Sequence, residues 1–409
     1  MPKMTIRVFI VAVIVLVIFF SLATLWAVKN VSIPIVSRSE YSQSTIGAGT
    51  YLAKIVSITD EGQITLGEHE QLYQTMLVSV LQGKYSGRQF SVTYGTTQLR
   101  SDSTRFTPEQ KIYIVVSAGA DGELHAYYAD FDRSKVLLLL LFSFIVSVLA
   151  LGRRKGLGSI VSLCFSMFII LGYIIPHILA GDNPVSTSLI GSGVLLGFSL
   201  YITYGWNLKT HASVISMIFT LIITGSLSAL FVNLAHLNGY GDENALFLIQ
   251  LSSVQINVQG LLLGSMIIGT LGILDDLVTS QSAAVVEIHG ANPDLNVRQT
   301  FISVIRIGQD HVAATVNTLV LSYTGASLPL LLVFTLAQGS YQYLINSEML
   351  AEEIVRTLVG SLGLVAAVPI SSIVAAFIIV NQHKLMKLGE WRTLFGPETN
   401  DHAKGYHAH

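Results

Sequence analysis

Two adjacent carboxylates, Asp275 and Asp276, interrupt a long apolar segment of the chain. A charged side chain at the centre of a bilayer costs about 2.5–3.5 kcal/mol on insertion scales, so acids in such segments usually face a bundle interior or a water-filled cavity. Two neighbouring carboxyl groups disfavour joint ionisation, and burial penalises the charged form further. We therefore expect both acids to lie inside a helix bundle and at least one of them to change protonation during function.

Further polar side chains extend this acidic site along two predicted helices. At about 100° per residue, Asp275, Thr279 and Ser282 share one helix face, while Asp276 and Glu287 share the adjoining face. The next helix carries four polar residues at helical spacing, His311, Thr315, Thr318 and Ser322, and Asn317 lies just beside them. If the two faces meet, they form a hydrated, hydrogen-bonded path. The alternatives are ordinary hydrogen bonding between helices for the hydroxyl groups and an interfacial anchor for His311.

The depth of the acid pair depends on which part of the apolar stretch crosses the membrane. Residues 258–288 would form a helix of about 45 Å, against a hydrocarbon core of about 30 Å. A span at 262–287 places the acids in mid-membrane, whereas a span at 256–275 places them at the inner surface. Small and apolar residues follow the pair, which favours the buried position, and the surface position stays open.

The composition requires most of the chain to be solvated by lipid. Only 12% of the 409 residues are charged, against about one quarter in soluble proteins, and the mean hydropathy is +0.61. A formal charge of −2, without a long Lys/Arg run, excludes the electrostatic footprint of a nucleic-acid binder. The single cysteine, Cys164, cannot close an internal disulfide.

Apolar runs of about 20 residues predict a mostly α, multi-pass helical bundle with about eight transmembrane helices. The runs lie at 8–27, 136–152, 157–175, 185–204, 212–236, 258–287, 312–337 and 354–380. We interpret the first run as an uncleaved anchor, because it exceeds the apolar core of a signal peptide. The resulting divisions are an anchor at 1–27, an outer domain at 28–135, a seven-helix domain at 136–380 and a tail at 381–409.

Basic residues orient the whole chain consistently. With the N-terminus inside, the short inner segments collect Lys and Arg, whereas the short outer loops near 176–184, 237–245 and 338–353 contain none. The positive-inside rule then predicts that both termini are cytoplasmic and that residues 28–135 lie outside the cell membrane.

The sequence of the predicted outer domain has the alternating pattern of β-strands. Alternating runs at 74–81, 89–94 and 111–116 are separated by turn signals rich in glycine. They predict a small antiparallel, barrel-like domain with one modest core. Nothing in it indicates catalysis, so we expect binding or gating, and the alternative is a passive cap on the first two helices.

The cytoplasmic tail at 381–409 is predicted to form a short interfacial helix followed by a loose end. It contains His402, His407 and His409. A metal site needs a fixed ligand geometry that a loose end does not supply, so we expect no metal and no cofactor.

Pairs of small residues predict close contacts between helices. The pairs are Gly193 with Gly197, Gly260 with Gly264, and Gly360 with Gly363.

Five motifs lie between residues 271 and 380. They are GILDD at 272–276, ANP at 291–293, IGQDH at 307–311, VNTLVLSYTGASLPLLLVF at 316–334 and EIVRTLVGSLGLVAAVP at 353–369. With these motifs the chain resembles the YibE/F-like family of bacterial membrane proteins. The resemblance implies the layout of first helix, outer barrel and many helices in a bacterial cell membrane, and it implies architecture more than activity.

The same region is remotely similar to the back half of a resistance-nodulation-division or SecD/SecF permease unit, through GILDD, IGQDH, LPLLLVF and GLVAAVP in that order. This second resemblance implies that Asp275 and Asp276 relay protons.

The leading hypothesis is a transporter or permease-like protein for an unknown solute, coupled to protons through the acid pair. The alternative is a non-transporting scaffold or regulatory partner of another membrane protein. A mid-membrane pair favours the first hypothesis, and a surface pair favours the second. We expect no enzyme, because an intramembrane aspartyl protease needs its acids on facing helices and these two are adjacent. The expected partners are the bilayer and a solute or protein, and homo-oligomerisation stays open.

Overall fold

The computed structural model of the chain describes residues 49–66, 69–97, 105–119, 123–251, 255–336 and 340–382. The predicted anchor at 8–27 and the tail from residue 383 lie outside the described residues. The described residues form two compact units, one over 49–147 and one over 148–382. The protein is mostly helical and contains one small antiparallel sheet.

Five antiparallel strands build the sheet of the first unit. They are β1 (Thr50–Leu66), β2 (His69–Val80), β3 (Gln89–Tyr94), β4 (Lys111–Ala118) and β5 (Leu124–Phe131). Their order in the sheet is β3-β2-β1-β4-β5. In β4 the side chains of Ile112, Ile114 and Val116 alternate with more exposed neighbours, as the period of two predicts. The strand predictions at 74–81, 89–94 and 111–116 are confirmed.

An aromatic core lies beneath the two edge strands of this sheet. The ring centroids of Tyr94 in β3 and Tyr128 in β5 are 5.1 Å apart, and both rings pack on Phe106. Gln74 fixes the loop that carries Phe106, because its Oε1 accepts the Phe106 N–H at 2.7 Å. The edges therefore approach each other over one core, although no ladder joins β3 to β5 among the described strands. Closure into a barrel stays a prediction.

The remaining elements are helical. They are α1 (Ser134–Ile169), a π-helical turn (Ile170–Ile174), α2 (Ile175–Leu179), α3 (Pro184–Tyr204), α4 (Leu208–Leu234), α5 (Glu243–Leu251), α6 (Val258–Ala291), α7 (Val297–Ala326), α8 (Leu328–Leu336), α9 (Tyr341–Asn346) and α10 (Glu348–Val380). Asparagine caps four of the long helices, since the side chains of Asn183, Asn207, Asn257 and Asn296 each accept a backbone N–H from the first turn.

Six helical stretches of the described chain are long and apolar enough to cross a membrane. They are Ser134–Arg153, Lys155–Leu179, Pro184–Tyr204, Leu208–Leu234, Val258–Ala291 and Glu348–Val380. The helices α7 and α8 form a seventh when they count as one span, and they are bent by 58° at the break between them.

The predicted span at 312–337 is broken in the structure, and its boundaries differ from the prediction. The helix begins at Val297, fifteen residues earlier, and it ends at Ala326 before a new helix starts at Leu328. Its first half is amphipathic, with a buried stripe of Thr300, Val304 and Gly308, so a hydropathy window does not detect it. Pro329 lies in the first turn of α8, where proline is tolerated but continuation of the preceding helix is disfavoured.

The core of the second unit lies between α4, α6 and α10. Leu221, Leu274 and Leu364 lie near the midpoints of these three helices and belong to one buried cluster. The helices therefore cross one another at mid-length, and each is long enough to span a bilayer.

Only some of the glycine pairs lie in close helix contacts. A Cβ on Gly363 would lie 2.3 Å from Thr224 Oγ1 of α4, and one on Gly264 would lie 2.5 Å from Ser188 Oγ of α3. At Gly193 and Gly197 a Cβ would meet nothing within 4 Å, so the prediction of a close contact there is wrong. Those two glycines lie on an outer face of α3.

Candidate functional site

The contacts between α6 and α3 show which residue of α3 lies beside the acid pair. A Cβ on Gly260 would lie 3.3 Å from Cδ of Pro184, and Gly264 abuts Ser188 four residues further along both helices. The two helices therefore run parallel with a constant offset. At this offset Asp275 is level with Ser199 of α3, which is buried and whose hydroxyl bonds to the hydroxyl of Ser162.

The contacts between α6 and α7 show which residue of α7 lies beside the acid pair. A Cβ on Gly269 would lie 3.5 Å from the phenolic oxygen of Tyr323, and Ser280 Oγ lies 3.5 Å from His311 Nδ1. Because the numbers rise along α6 and fall along α7, these helices are antiparallel. Interpolation between the two contacts places Asp276 level with Thr315.

Asp275 lies half-buried at the middle of α6. Its Oδ1 is buried and has no hydrogen-bond partner among the described residues. Leu274 and Leu277 on either side of the pair are 0% and 1% exposed, and Leu274 belongs to the mid-length cluster of the bundle. Asp275 also shares a helix face with Gly264, eleven residues earlier, and is therefore turned towards α3.

Asp276 is exposed on the surface of the unit. The expectation that both acids are buried is therefore wrong for Asp276, because adjacent helical residues point about 100° apart. Asp276 shares a face with Gly269, seven residues earlier, and is turned towards the side of α7. The two carboxyl groups consequently lie on two different sides of α6.

Gly272 lies one turn before both acids and leaves open space beside them. A Cβ at this position would meet nothing within 4 Å. The residue is exposed, and it lies three positions before Asp275 and four before Asp276. The surface of α6 beside Gly272 is therefore not covered by another described helix.

The hydroxyl groups of the predicted path bond mainly within their own helices. Thr279 donates to the Asp275 carbonyl at 2.8 Å, and Ser282 donates to the Val278 carbonyl at 2.8 Å. Thr315 and Thr318 likewise donate to carbonyls four residues earlier. Such back-bonding satisfies the hydroxyl proton and leaves the oxygen free to accept.

The two predicted polar faces meet at Ser280 and His311, as their 3.5 Å approach shows. Asn317 and Thr318 are exposed on α7, and Glu287 is exposed towards the end of α6. Lys209 lies within electrostatic reach of Glu287. The three histidines of the tail lie outside the described residues.

Sequence reasoning missed Gln281, which joins three helices. Its side chain is 1% exposed, and its Nε2 donates to the Val304 carbonyl of α7 at 3.0 Å and to Ser372 Oγ of α10 at 2.8 Å. An amide in the middle of an apolar helix, about one and a half turns after the acids, was the available signal. Gln281 fixes α7 and α10 against α6 next to the acidic site.

Sequence reasoning also missed a carboxylate clasp, formed by Glu348 and Glu352 at the start of α10. Glu348 Oε1 accepts the backbone N–H groups of Asn238 and Gly239 at 2.6 and 3.0 Å, and Glu352 Oε1 accepts that of Gly241 at 3.2 Å. The spacing of four residues, facing a loop with two glycines, could have indicated it. The clasp holds the loop after α4 against the start of α10.

Comparison with known proteins identifies the family. A model of the YibE/F-like protein family matches residues 140–381, which is more than half of the chain and includes the acid pair, Gln281 and both predicted polar faces. No curated protein and no solved structure matches the chain. The similarity to permease units stays a prediction. On the family match, together with six or seven candidate membrane spans, the chain belongs to the YibE/F-like family.

Proposed function

We propose that this protein is a transporter for an as yet unidentified solute, and that proton exchange at Asp275 and Asp276 drives it. The observation that carries the proposal is the buried, unpartnered Oδ1 of Asp275 at the middle of the longest helix of the second unit. A buried carboxylate oxygen without a donor is costly, and binding of a proton removes that cost. A residue of this kind is retained where its change of charge is useful.

The divergence of the two acids by about 100° around α6 supports a relay rather than a shared site. Asp276 is exposed and can exchange protons on the side of α7, where His311 and Thr315 lie. Asp275 faces α3 and is partly enclosed. Because Gly272 leaves space beside both carboxyl groups, a water molecule there would connect them.

The arrangement in the membrane is part of the proposal. We infer eight spans, with the anchor at 8–27 as the first, both termini in the cytoplasm, and residues 28–135 outside the cell as a barrel-like binding or gating domain. The absence of Lys and Arg from the short outer loops supports this orientation. We assign no enzymatic reaction, since adjacent acids cannot flank one scissile bond.

Carbodiimide labelling tests the protonation of Asp275 directly. A hydrophobic carbodiimide modifies carboxyl groups that are protonated in an apolar setting. We expect mass spectrometry of the purified full-length chain to find the adduct on Asp275, in a yield that falls as pH rises. The exposed Asp294, outside the long helices, is the internal control and should remain unmodified.

Proton movement is the second measurement. In proteoliposomes with an entrapped pH indicator, an imposed membrane potential should drive proton entry. Asp275→Asn and Asp276→Asn should each abolish it, while Asp294→Asn leaves it unchanged. Normal proton entry in both amide variants, with no adduct on Asp275, would remove the relay from consideration.

The exposure of Asp276 favours a second candidate function. Ser265, Gly269, Gly272 and Asp276 are all exposed on one face of α6, which suits contact with another membrane protein. If the amide variants keep proton entry but Asp276→Leu changes the mass of the native complex, a scaffold or regulatory role explains the chain better.

A further inference from the structure

The break between α7 and α8 borders a cavity of about 340 Å³ that is separate from the acid pair. This size lies within the roughly 300–1,000 Å³ of small-molecule sites. The cavity is bounded by the last turn of α7, the start of α8 and the first three turns of α10. Tyr323, at its wall, contacts α6 at Gly269, which is one to two turns from Asp276.

The polar side chains of the cavity are one carboxylate and four hydroxyl groups, and each of them can accept a hydrogen bond. Of the described residues that line it, Glu353 alone carries a charge, and Tyr323, Thr324, Ser327 and Thr357 add hydroxyl groups. The hydroxyl of Thr357 already donates to the Glu353 carbonyl, so its oxygen remains to accept. A carboxylate surrounded by hydroxyl oxygens is complementary to a protonated amine.

The helix break adds a second feature that favours a cation. The last turn of α7, from Tyr323 to Ala326, ends at the cavity, and the carbonyl end of a helix carries roughly half a negative charge. In an unbroken span the following turn would satisfy all of these carbonyls, whereas at this break the N–H of Ser327 reaches those of Tyr323 and Gly325. A broken helix at the level of a membrane bundle commonly marks the place where a transported ion or solute binds.

The remaining walls of the cavity are apolar and its rim is exposed. Leu331, Leu350 and Ile354 line it, and Val320 and Leu358 at the rim are 37% and 55% exposed. An apolar body attached to the amine would therefore pack against the walls and could enter sideways from the bilayer.

Arg356 occupies the counter-ion position beside this cavity. Its guanidinium pairs with the Glu353 carboxylate one turn away, and its Nε is buried without a hydrogen-bond partner among the described residues. Arg356 does not line the cavity. It therefore balances the charge of Glu353 when the cavity is empty and competes with any cation that enters.

We propose that the cavity binds an amphipathic amine, with the ammonium group on Glu353 and the apolar body between α8 and α10, in competition with Arg356. The identification of the amine as the transported substrate rests on the proposed transport function, whereas its binding in the cavity does not. The chemistry is shared by a membrane-soluble alkylamine and by the ammonium headgroup of phosphatidylethanolamine.

The test measures binding to the full-length chain in nanodiscs of phosphatidylglycerol, which carry no lipid amine. After subtraction of the heat of partition into protein-free nanodiscs, isothermal titration with octylamine should give saturable binding, whereas octanol and octanoate, with the same alkyl chain, should give no further binding. Glu353→Gln should weaken octylamine binding about tenfold or more, because it removes the charge that holds the ammonium group. Glu243→Gln, an exposed acid on α5, is the matched control and should bind normally.

Arg356→Gln should act in the opposite direction and tighten octylamine binding several-fold, since it removes the competing cation. A change of opposite sign at two paired residues cannot arise from misfolding. Leu358→Trp, which fills the rim without changing a charge, should block binding. Equal binding of octanol and octylamine, or weaker binding in Arg356→Gln, overturns the proposal.

A second set of nanodiscs that contain phosphatidylethanolamine identifies the source of the amine. Competition of this lipid with octylamine assigns the site to a lipid headgroup, and undiminished octylamine binding assigns it to a free amphipathic amine. The two proposals can fail independently. Amine binding without any proton entry would support the cavity assignment and contradict the relay. Asp275-dependent proton entry without amine binding would support the relay and contradict the cavity assignment.

Discussion

The side-chain amide of Gln281 on α6 donates to the hydroxyl oxygen of Ser372 on α10, 2.8 Å away. The same nitrogen reaches the Val304 carbonyl on α7, so one buried polar side chain fixes two neighbouring helices at once. Gln281 and its two hydrogen bonds lie between the acid pair and the C-terminal end of α6.

Gln281→Leu should lower the apparent unfolding temperature of the detergent-solubilised protein, because the volume is nearly conserved while two buried hydrogen bonds are lost. The loss should correspond to about 1–3 kcal/mol. Thermal unfolding followed by circular dichroism measures it. Gln342→Leu, at an exposed position of α9, is the matched control, and an equal shift in both variants would contradict the role of Gln281.

Gly363→Ala should disrupt the packing of α10 against α4, because the new Cβ would lie 2.3 Å from Thr224 Oγ1. Expression and monodispersity on size-exclusion chromatography should fall. Adding Thr224→Ala removes the two closest atoms and should restore both measures. Gly193→Ala, where a Cβ meets nothing, should behave as wild type. A defect in Gly193→Ala, or no rescue by the double change, would oppose the packing.

The β-sheet unit should fold without the helices. A fragment of residues 34–131 should be soluble and give the far-ultraviolet circular dichroism of a β protein, because its core lies within the fragment. In that fragment Ile55→Ala, at a fully buried site, should lower the free energy of unfolding by about 2–5 kcal/mol. The neighbouring Val56→Ala, at a site 43% exposed, should have a much smaller effect. Helical or disordered spectra would refute the independent fold.

The same fragment should show an alkaline dependence at Tyr73. Its phenol donates to Asp60 Oδ2 at 3.0 Å, and this hydrogen bond, followed by the negative charge of Asp60, raises the pKa of Tyr73 above its usual value. The folded-state pKa then exceeds the unfolded one, so the stabilisation is complete below pH of about 10 and is lost as pH rises through the folded-state pKa. The difference in stability between wild type and Tyr73→Phe should shrink over that window. A constant difference would exclude the linkage.

Cysteine accessibility should confirm the orientation in the membrane. In a Cys164→Ala background, a cysteine at Tyr341, which is 81% exposed, should react with an impermeant maleimide added to intact cells. One at Asp294, an exposed position between α6 and α7, should react only after lysis. These sites avoid the N-cap residues Ser347 and Asn296, whose loss would disturb the helices. The reverse labelling pattern would invert the topology.

Much of the fold was predictable because membrane helices are long and uniformly apolar. The spans now assigned to α3, α4, α6 and α10 followed from hydropathy alone. The start of α7 did not, since its first half is amphipathic and Gly308 packs on Gln281 rather than on lipid. The order of the strands also depends on pairings between residues far apart in the chain, which local alternation does not specify.

The residues of the candidate site stay a prediction, and their geometry did not follow from the sequence. The 100° turn between Asp275 and Asp276 already implied that they diverge. Which of them is enclosed depends on the registers of α3 and α7 against α6, and these are set by Gly264 and Gly269. Neither register is written in the local sequence of the acids, and the cavity at Glu353 depends on a helix break that the apolar run concealed.

The carboxylate clasp of Glu348 and Glu352 has a consequence for biogenesis. The loop that it holds is synthesised about 110 residues before Glu348, which at ribosomal rates corresponds to roughly 5–20 s. During this interval α4 must reside in the bilayer without α10. Its hydroxyl groups at Ser216, Thr220, Thr224 and Ser228 already donate to carbonyls of α4 itself, so the helix is acceptable to lipid while it waits. When α10 is inserted, the carboxylate clasp joins the loop after α4 to the start of α10. A ribosome stalled before Glu348 would therefore leave an intermediate in which α4 is inserted but its loop is not held.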